Sequence, residues 1–172
     1  LLYTTQHRLR EKRAIEAAGV PVAPYRDFDS ADRLKEALRE FGVPCVLKTA
    51  TGGYDGKGQR VIRSEAEAEE AYDALSRAGT ELVLEKFVDF AKELSVITAR
   101  RPGGEVRVFP VAENVHVDNI LHLTVVPARV PASVAERAER LAARLAESLD
   151  VVGLLAVELF LGRDGELFVN EL

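Results

Sequence analysis

The sequence predicts two α+β lobes built on mainly antiparallel sheets. Three observations carry this. Strand-like segments follow one another between residues 82 and 126, with a Pro102-Gly103-Gly104 turn among them. Helical segments are set between such runs, not alternated with single strands as in a doubly wound parallel sheet. The chain closes on a hairpin pattern, Leu154–Leu161, a Gly-Arg-Asp-Gly turn, then Glu166–Leu172.

In order, the first helix is expected over about Thr5 to Ala18, stopped by Gly19 and followed by an extended stretch containing Pro21 and Pro24. Ser30 caps a second helix, with Leu34, Ala37, Leu38 and Phe41 on one face and Gly42 at its end. Pro44 opens a strand, Cys45–Thr49, and a glycine-rich loop, Thr51–Gln59, leads to a strand over Gln59–Ile62. Ser64 with Glu67 reads as a capping box for a helix running to about Ala78 and closing at Gly79. Strands follow at Leu82–Val88, Glu93–Arg100, Val106–Val111 and Ile120–Val126. Ser133 and Glu136 read as a second capping box. The helix behind them carries Val134, Ala138, Leu141, Leu145 and Leu149 on one face. A boundary near Leu84–Glu85 divides these elements into lobes 1–84 and 85–172.

Of 172 residues, 47% are hydrophobic and 30% charged, a globular balance. The net charge of −5 argues against a general nucleic-acid binder, which needs a basic surface. No apolar run approaches the ~20 residues that span a bilayer. The single cysteine, Cys45, lies in an apolar stretch and reads as a small buried residue; a reducing cytoplasm fits. The chain starts Leu1-Leu2 and contains no methionine, so it is expected to be a fragment of a longer protein.

Three constellations carry chemistry. Lys48 leaves the end of a strand, and the loop behind it holds Gly52, Gly53, Gly56 and Gly58 around Tyr54, Asp55 and Lys57. Glycines let backbone N–H groups approach phosphate oxygens, and lysine adds a point charge. The order differs from a Walker A motif, and a plain hairpin tip with a solvated lysine is the bland alternative. In the last hairpin, Glu158 and Glu171 lie in otherwise apolar strands, where a charge is costly unless paired or bound to a cation. A two-residue turn pairing Gly162 with Gly165 would set Glu158 opposite Val169 and Glu171 opposite Ala156. The carboxylates would then be diagonal neighbours on one face, roughly 7–8 Å apart at the backbone, with Asn170 nearby. Such a pair suits magnesium, which takes one or two carboxylates plus substrate phosphates. A three-residue turn would put them on opposite faces; two edge-strand glutamates facing water is the alternative. Third, Glu85-Lys86-Phe87-Val88 with Glu93 offers acceptors for adenine or ribose, or surface partners for Lys86 and Lys92. His7 and His122 read as ordinary solvated or packed residues.

This order of motifs resembles the ATP-grasp superfamily. Within it, Gly52-Gly-Tyr-Asp-Gly-Lys-Gly-Gln59, Glu93-Leu-Ser-Val-Ile97, Glu113-Asn-Val-His116 and Ile120-Leu-His122 resemble the carboxyaminoimidazole ribonucleotide synthase family, the ATPase subunit of phosphoribosylaminoimidazole carboxylase. The resemblance implies an ATP-grasp fold with ATP between two α+β lobes. Lys48 and the loop residues Gly53, Tyr54, Asp55, Gly56, Lys57, Gly58 and Gln59 would contact the phosphates beneath a lid that orders on nucleotide binding. Glu85, Lys86, Phe87 and Val88 would hold adenine, Glu93 the ribose, and Arg8 and His116 would lie near the nucleotide. Glu158 and Glu171 would hold Mg2+, with Asn170 beside them. Tyr54, Asp55 and Lys57 would place carboxyphosphate, made from bicarbonate and ATP, beside aminoimidazole ribonucleotide.

The family's amino-terminal domain and the segment after the Asn-Glu pair are absent here. They supply much of the ribonucleotide site and the dimer interface, so a cytoplasmic homodimeric parent is implied and this piece is expected to be incomplete for activity. The alternatives are another ATP-grasp ligase (a formate-dependent transformylase or an amino-acid ligase), against which Tyr54-Asp55 argues, or a non-catalytic ATP-binding module, against which the paired glutamates weigh.

Overall fold

The structure, a computed structural model, describes residues 1–53, 57–76 and 80–172. The chain forms two compact units, one of Gln6–Leu9 and Ala23–Val88, the other of Leu1–Thr5, Arg10–Val22 and Asp89–Leu172.

The smaller unit carries a four-stranded antiparallel sheet: β1 (Tyr25–Phe28), β2 (Cys45–Thr49), β3 (Gln59–Ile62) and β4 (Leu82–Lys86), in the order β1-β4-β2-β3. The helices here are α3 (Ala31–Phe41) and α4 (Ala68–Leu75). They cover one sheet face with Leu34, Ala37, Leu38, Ala68 and Ala71, packed on Cys45, Leu47, Ile62, Leu82 and Leu84. Alternation along each strand selects these residues, because successive side chains point to opposite faces. Ser30 caps α3 by accepting from the Arg33 N–H at 3.4 Å, and Gly42 ends it at φ 71°. The Ser64 hydroxyl donates to Glu67, which also accepts from the Arg63 N–H at 2.9 Å. The expected capping box does not form, because the Ser64 side chain accepts no backbone N–H and Glu67 reaches the N–H of Arg63 instead of Ser64; a 3-10 turn, Glu65–Glu67, precedes α4. Ala78 and Gly79, where the sequence placed the end of this helix, lie outside the described residues. β1 falls in the stretch read only as extended.

At the amino terminus the single expected helix is two: α1 (Leu2–Thr5) and α2 (Arg8–Ala17). The Arg8 N–H donates to the Ala50 carbonyl at 2.9 Å. His7, between the helices, hydrogen-bonds Glu81 at 2.9 Å, so it is not merely solvated.

The larger unit holds a six-stranded antiparallel sheet: β5 (Phe90–Arg100), β6 (Val106–Val108), β7 (Ala112–Val117), β8 (Ile120–Val125), β9 (Gly153–Gly162) and β10 (Leu167–Glu171). The order is β10-β9-β5-β7-β8, with β6 on β5 beyond β7. α5 (Ala132–Ser148) covers one face, packing Ala138, Ala142, Leu145 and Ala146 on Leu94, Val96, Leu155, Val157 and Leu159. Two expectations are corrected. The stretch Val106–Val111 is a shorter strand, and β7 is a separate one, turned into β8 by Asp118 and Asn119 at φ 52° and 62°. Ser133 is not a cap: Pro131 occupies that position, and its carbonyl accepts from Val134 and Ala135. No helix among the described residues is long and apolar enough to cross a membrane.

Candidate active site

On β2, Leu47 points into the core, so Lys48 points to the other face, beside Gln59 on β3 and Val83 on β4. Glu85 projects there too, diagonal to Lys48. Lys48 Nζ donates to Glu85 at 2.9 Å, and both side chains are buried. Glu85 therefore takes Lys48, not Lys86 or Lys92, as its ionic partner. A buried charge needs such a partner, and the pair presents one cation and one acceptor in fixed geometry. Beyond Glu85, the Lys86 and Phe87 N–H groups donate to the carbonyls of Pro24 and Pro44, which fixes the Glu85–Val88 backbone.

The glycine loop leaves the end of β2, where the Thr49 N–H donates to the Gly58 carbonyl at 2.8 Å. Two glycines here are sterically required. A Cβ on Gly58, at φ 76°, would lie 2.7 Å from Thr49 Oγ1, and one on Gly53 would lie 2.9 Å from the Lys57 carbonyl and 3.4 Å from Arg8 Nη2. Arg8 is thus brought to the base of this loop, and Lys57 is exposed. Tyr54, Asp55 and Gly56, and with them the expected lid, lie outside the described residues.

In the larger unit, the sheet face turned away from α5 gathers the remaining candidates. β5 sends Leu94 and Val96 into the core, so Glu93 and Ser95 face the other way. Glu93 is opposite Phe160 and Asn114, and Ser95 is opposite Glu158. Glu93 hydrogen-bonds His116 Nδ1, not Lys86 or Lys92, the surface partners weighed as the alternative to nucleotide binding. Phe160 stacks on Phe90 with ring centroids 4.7 Å apart.

The closing hairpin corrects the sequence reading twice. Gly162 pairs with Glu166 across a three-residue turn, Arg163-Asp164-Gly165, not with Gly165 across two. Continued regularly, that turn would place Glu158 and Glu171 on opposite faces. A β-bulge between Val169 and Glu171 adds one residue to β10 and restores the phase, so Glu171 stands directly opposite Glu158. Val169 faces Leu159 instead of Glu158. Nor is Glu158 buried: β9 alternates, with Leu155, Val157, Leu159 and Leu161 inward and Glu158 exposed.

Although Glu158 is exposed as a residue, protein packed about its carboxyl strips away part of the water there; that desolvation first, then the Glu171 charge, raises its pKa, partly offset by His116 and by the hydrogen bond from Asn170. Asn170 Oδ1 is buried and has no hydrogen-bond partner among the described residues. Two facing carboxylates and one idle amide oxygen form a hard oxygen donor set, which fits magnesium. Among the described residues there is no cluster of three or more His, Cys, Asp or Glu that would hold a metal by itself.

Sequence reasoning missed Ser95, Thr124 and Phe160, which share this face. It also missed buried Glu113, which accepts from the Arg129 N–H, Nε and Nη2 at 3.1, 3.1 and 2.7 Å and from Lys92 Nζ at 2.7 Å. The Arg129 hydrogen bonds first, then Lys92, hold Glu113 down at about 2. The period-two alternation of Glu93-Leu94-Ser95-Val96 was the available signal for Ser95.

Residues 13–172 match the ATP-grasp domain model, and the chain belongs to the ATP-grasp family. It is 52% identical over all 172 residues to the N5-carboxyaminoimidazole ribonucleotide synthase of Bacillus subtilis, of which it covers 45%. A crystal structure of an N5-carboxyaminoimidazole ribonucleotide synthetase with ADP superposes with a TM-score of 0.92 at 54% identity, over 99% of this chain and 45% of that one. The Aspergillus clavatus synthase in complex with ADP and 5-aminoimidazole ribonucleotide superposes with a TM-score of 0.90 at 29% identity, over 99% of this chain and 44% of that one. The chain thus spans about half the length of the relatives it matches.

Proposed function

We propose that this chain is the nucleotide-binding part of an ATP-dependent ligase of purine biosynthesis that carboxylates aminoimidazole ribonucleotide with bicarbonate. The observation that carries this reading is the 52% identity, sustained over the whole chain, to a synthase of that name. ATP is the phosphoryl donor. A bicarbonate oxygen attacks the γ-phosphorus and ADP leaves, giving carboxyphosphate. The ribonucleotide amine then takes the carboxyl carbon, and inorganic phosphate departs with the former bicarbonate oxygen. In such a sequence the protein mainly orients reactants and neutralises charge.

The residues divide by task. Lys48 and Arg8, with the backbone of Gly53, Gly56, Gly58 and Gln59, hold the phosphates. The Lys48–Glu85 pair and the Lys86, Phe87 and Val88 backbone receive adenine. Glu93, steadied by His116, takes the ribose hydroxyls. Glu158, Glu171 and Asn170 hold Mg2+, which supplies charge neutralisation across the phosphate oxygens. Tyr54, Asp55 and Lys57 orient the reacting carboxyl and amine, and the loop 51–59 shields them from water, in which carboxyphosphate decomposes. The intact protein acts in the cytoplasm as a homodimer.

The test is co-substrate dependence in the intact protein. ADP release should require both bicarbonate and aminoimidazole ribonucleotide. Release supported by formate or a free amino acid instead would assign another ligase of the family, and none with any acceptor would leave a binding module.

A further inference from the structure

We propose that Glu11 is a positioning residue that locks the β-bulge of β10 and thereby keeps Glu171 opposite Glu158. Its consequence for the cation rests on the reading that Glu158 and Glu171 hold Mg2+.

Glu11 lies on α2 and is 1% exposed. A glutamate so buried is rare unless its carboxylate is used. Its Oε1 accepts the Leu172 N–H at 3.0 Å, one residue beyond Glu171. A backbone N–H can only donate and a carboxylate oxygen accepts, so the direction of this contact is fixed.

The bulge needs such a clamp. β10 is the edge strand of its sheet, paired along one side with β9. Asn170 is the extra residue, without a partner on β9, and it shifts Glu171 into line with Glu158. In a regular strand, N–H groups turn alternately toward the partner and away from it, so outward N–H groups are an even number of residues apart. Here the Val169 N–H donates to the Pro21 carbonyl at 2.9 Å and the Leu172 N–H, three residues on, to Glu11. That odd spacing is the mark of the bulge. The two contacts lie on either side of Asn170. Both come from α2 and the stretch that follows it, which bridges Val169 through Val22. Without the Glu11 contact, the strand end can resume the regular register, in which Glu171 leaves the Glu158 face.

The experiment uses the intact protein and reads register and cation separately. Register is read by disulfide formation in Glu158→Cys/Glu171→Cys. Opposed residues of an antiparallel pair have Cα atoms within disulfide range, and the natural Cys45 is buried. Adding Glu11→Leu, similar in size but without an acceptor, or Glu11→Ser, too short to reach Leu172, should slow the cross-link severalfold. Glu11→Gln, which keeps an acceptor oxygen, should not. With Glu158 and Glu171 in place, Glu11→Leu and Glu11→Ser should weaken Mn2+ about 10-fold, read by the electron paramagnetic resonance of free Mn2+. Glu11→Gln should bind Mn2+ as the parent does, whatever its melting temperature. Parental cross-linking in both Glu11→Leu and Glu11→Ser, or slowing in Glu11→Gln equal to theirs, overturns the clamp. Parental Mn2+ affinity in a variant that cross-links slowly overturns its bearing on the cation. Glu171→Gln tests the cation reading by itself. If it binds Mn2+ as the parent does while Glu11→Leu still slows the cross-link, the cation reading falls and the clamp stands.

Discussion

At Glu158, partial desolvation of the carboxyl and the facing Glu171 act in the same direction, raising the pKa, and His116 and Asn170 act against them. Two like charges on directly opposed residues repel unless a cation lies between them. Glu171→Gln should relieve that repulsion, leave the fold intact, and weaken magnesium-dependent ATP binding at least 10-fold, by analogy with removal of groups supporting metal sites. Calorimetry with unchanged magnesium-ATP affinity would contradict this. Glu113 is the opposite case, a buried carboxylate over-supplied with donors. Its folded pKa of about 2 lies below the ordinary 4.5. Its contribution is therefore fully present above 4.5 and lost as the pH falls toward about 2. Glu113→Gln should destabilise the fold at neutral pH, since it removes the charge that the Arg129 and Lys92 hydrogen bonds hold ionised. Urea unfolding should show that difference shrinking in acid; a gap that stays constant down to about pH 3 would contradict the assignment.

The elements show what the sequence could and could not supply. α3 was legible end to end because its signals are local: a serine cap, an apolar face at helical spacing, and Gly42 at its end. β7 was not, although Asp118-Asn119 is a two-residue hairpin turn. Its inward position is Glu113, whose burial depends on Lys92, 21 residues away, and on Arg129, 16 away. The closing hairpin was legible as a hairpin but not in register. Gly162 and Gly165 suggested two residues between them, while the register depends on Gly165 at φ 84° and on a bulge that no local composition marks. The carboxylate pair was identified because both residues are charged among apolar neighbours, and they meet through the bulge rather than the predicted turn. Gly165→Ala tests the turn. No atom crowds a Cβ there, so only backbone strain acts, and about 1 kcal/mol should be lost. Gly58→Ala combines φ 76° with a 2.7 Å approach to Thr49 and should also weaken nucleotide binding by distorting the loop base. Equal thermal and nucleotide effects in the two variants would contradict the role of Gly58.

For the whole molecule, each unit packs one face of its sheet against helices and carries its candidate polar residues on the other, among apolar neighbours such as Val83 and Phe160. One such face holds Lys48, Gln59 and Glu85; the other holds Glu93, Ser95, Asn114, His116, Glu158 and the Asn170-Glu171 pair. Both sets follow from period-two alternation, since the strands that bury Leu47, Leu84, Leu94 and Leu159 must turn their neighbours the other way. The central claim is that these residues serve phosphoryl transfer from ATP to bicarbonate. Its chemistry leaves a mark: the phosphate released from carboxyphosphate keeps the bicarbonate oxygen that attacked the γ-phosphorus. With 18O-labelled bicarbonate, the intact protein, ATP and aminoimidazole ribonucleotide should yield inorganic phosphate carrying one labelled oxygen. Phosphate free of label, formed as the ribonucleotide is carboxylated, would contradict the account.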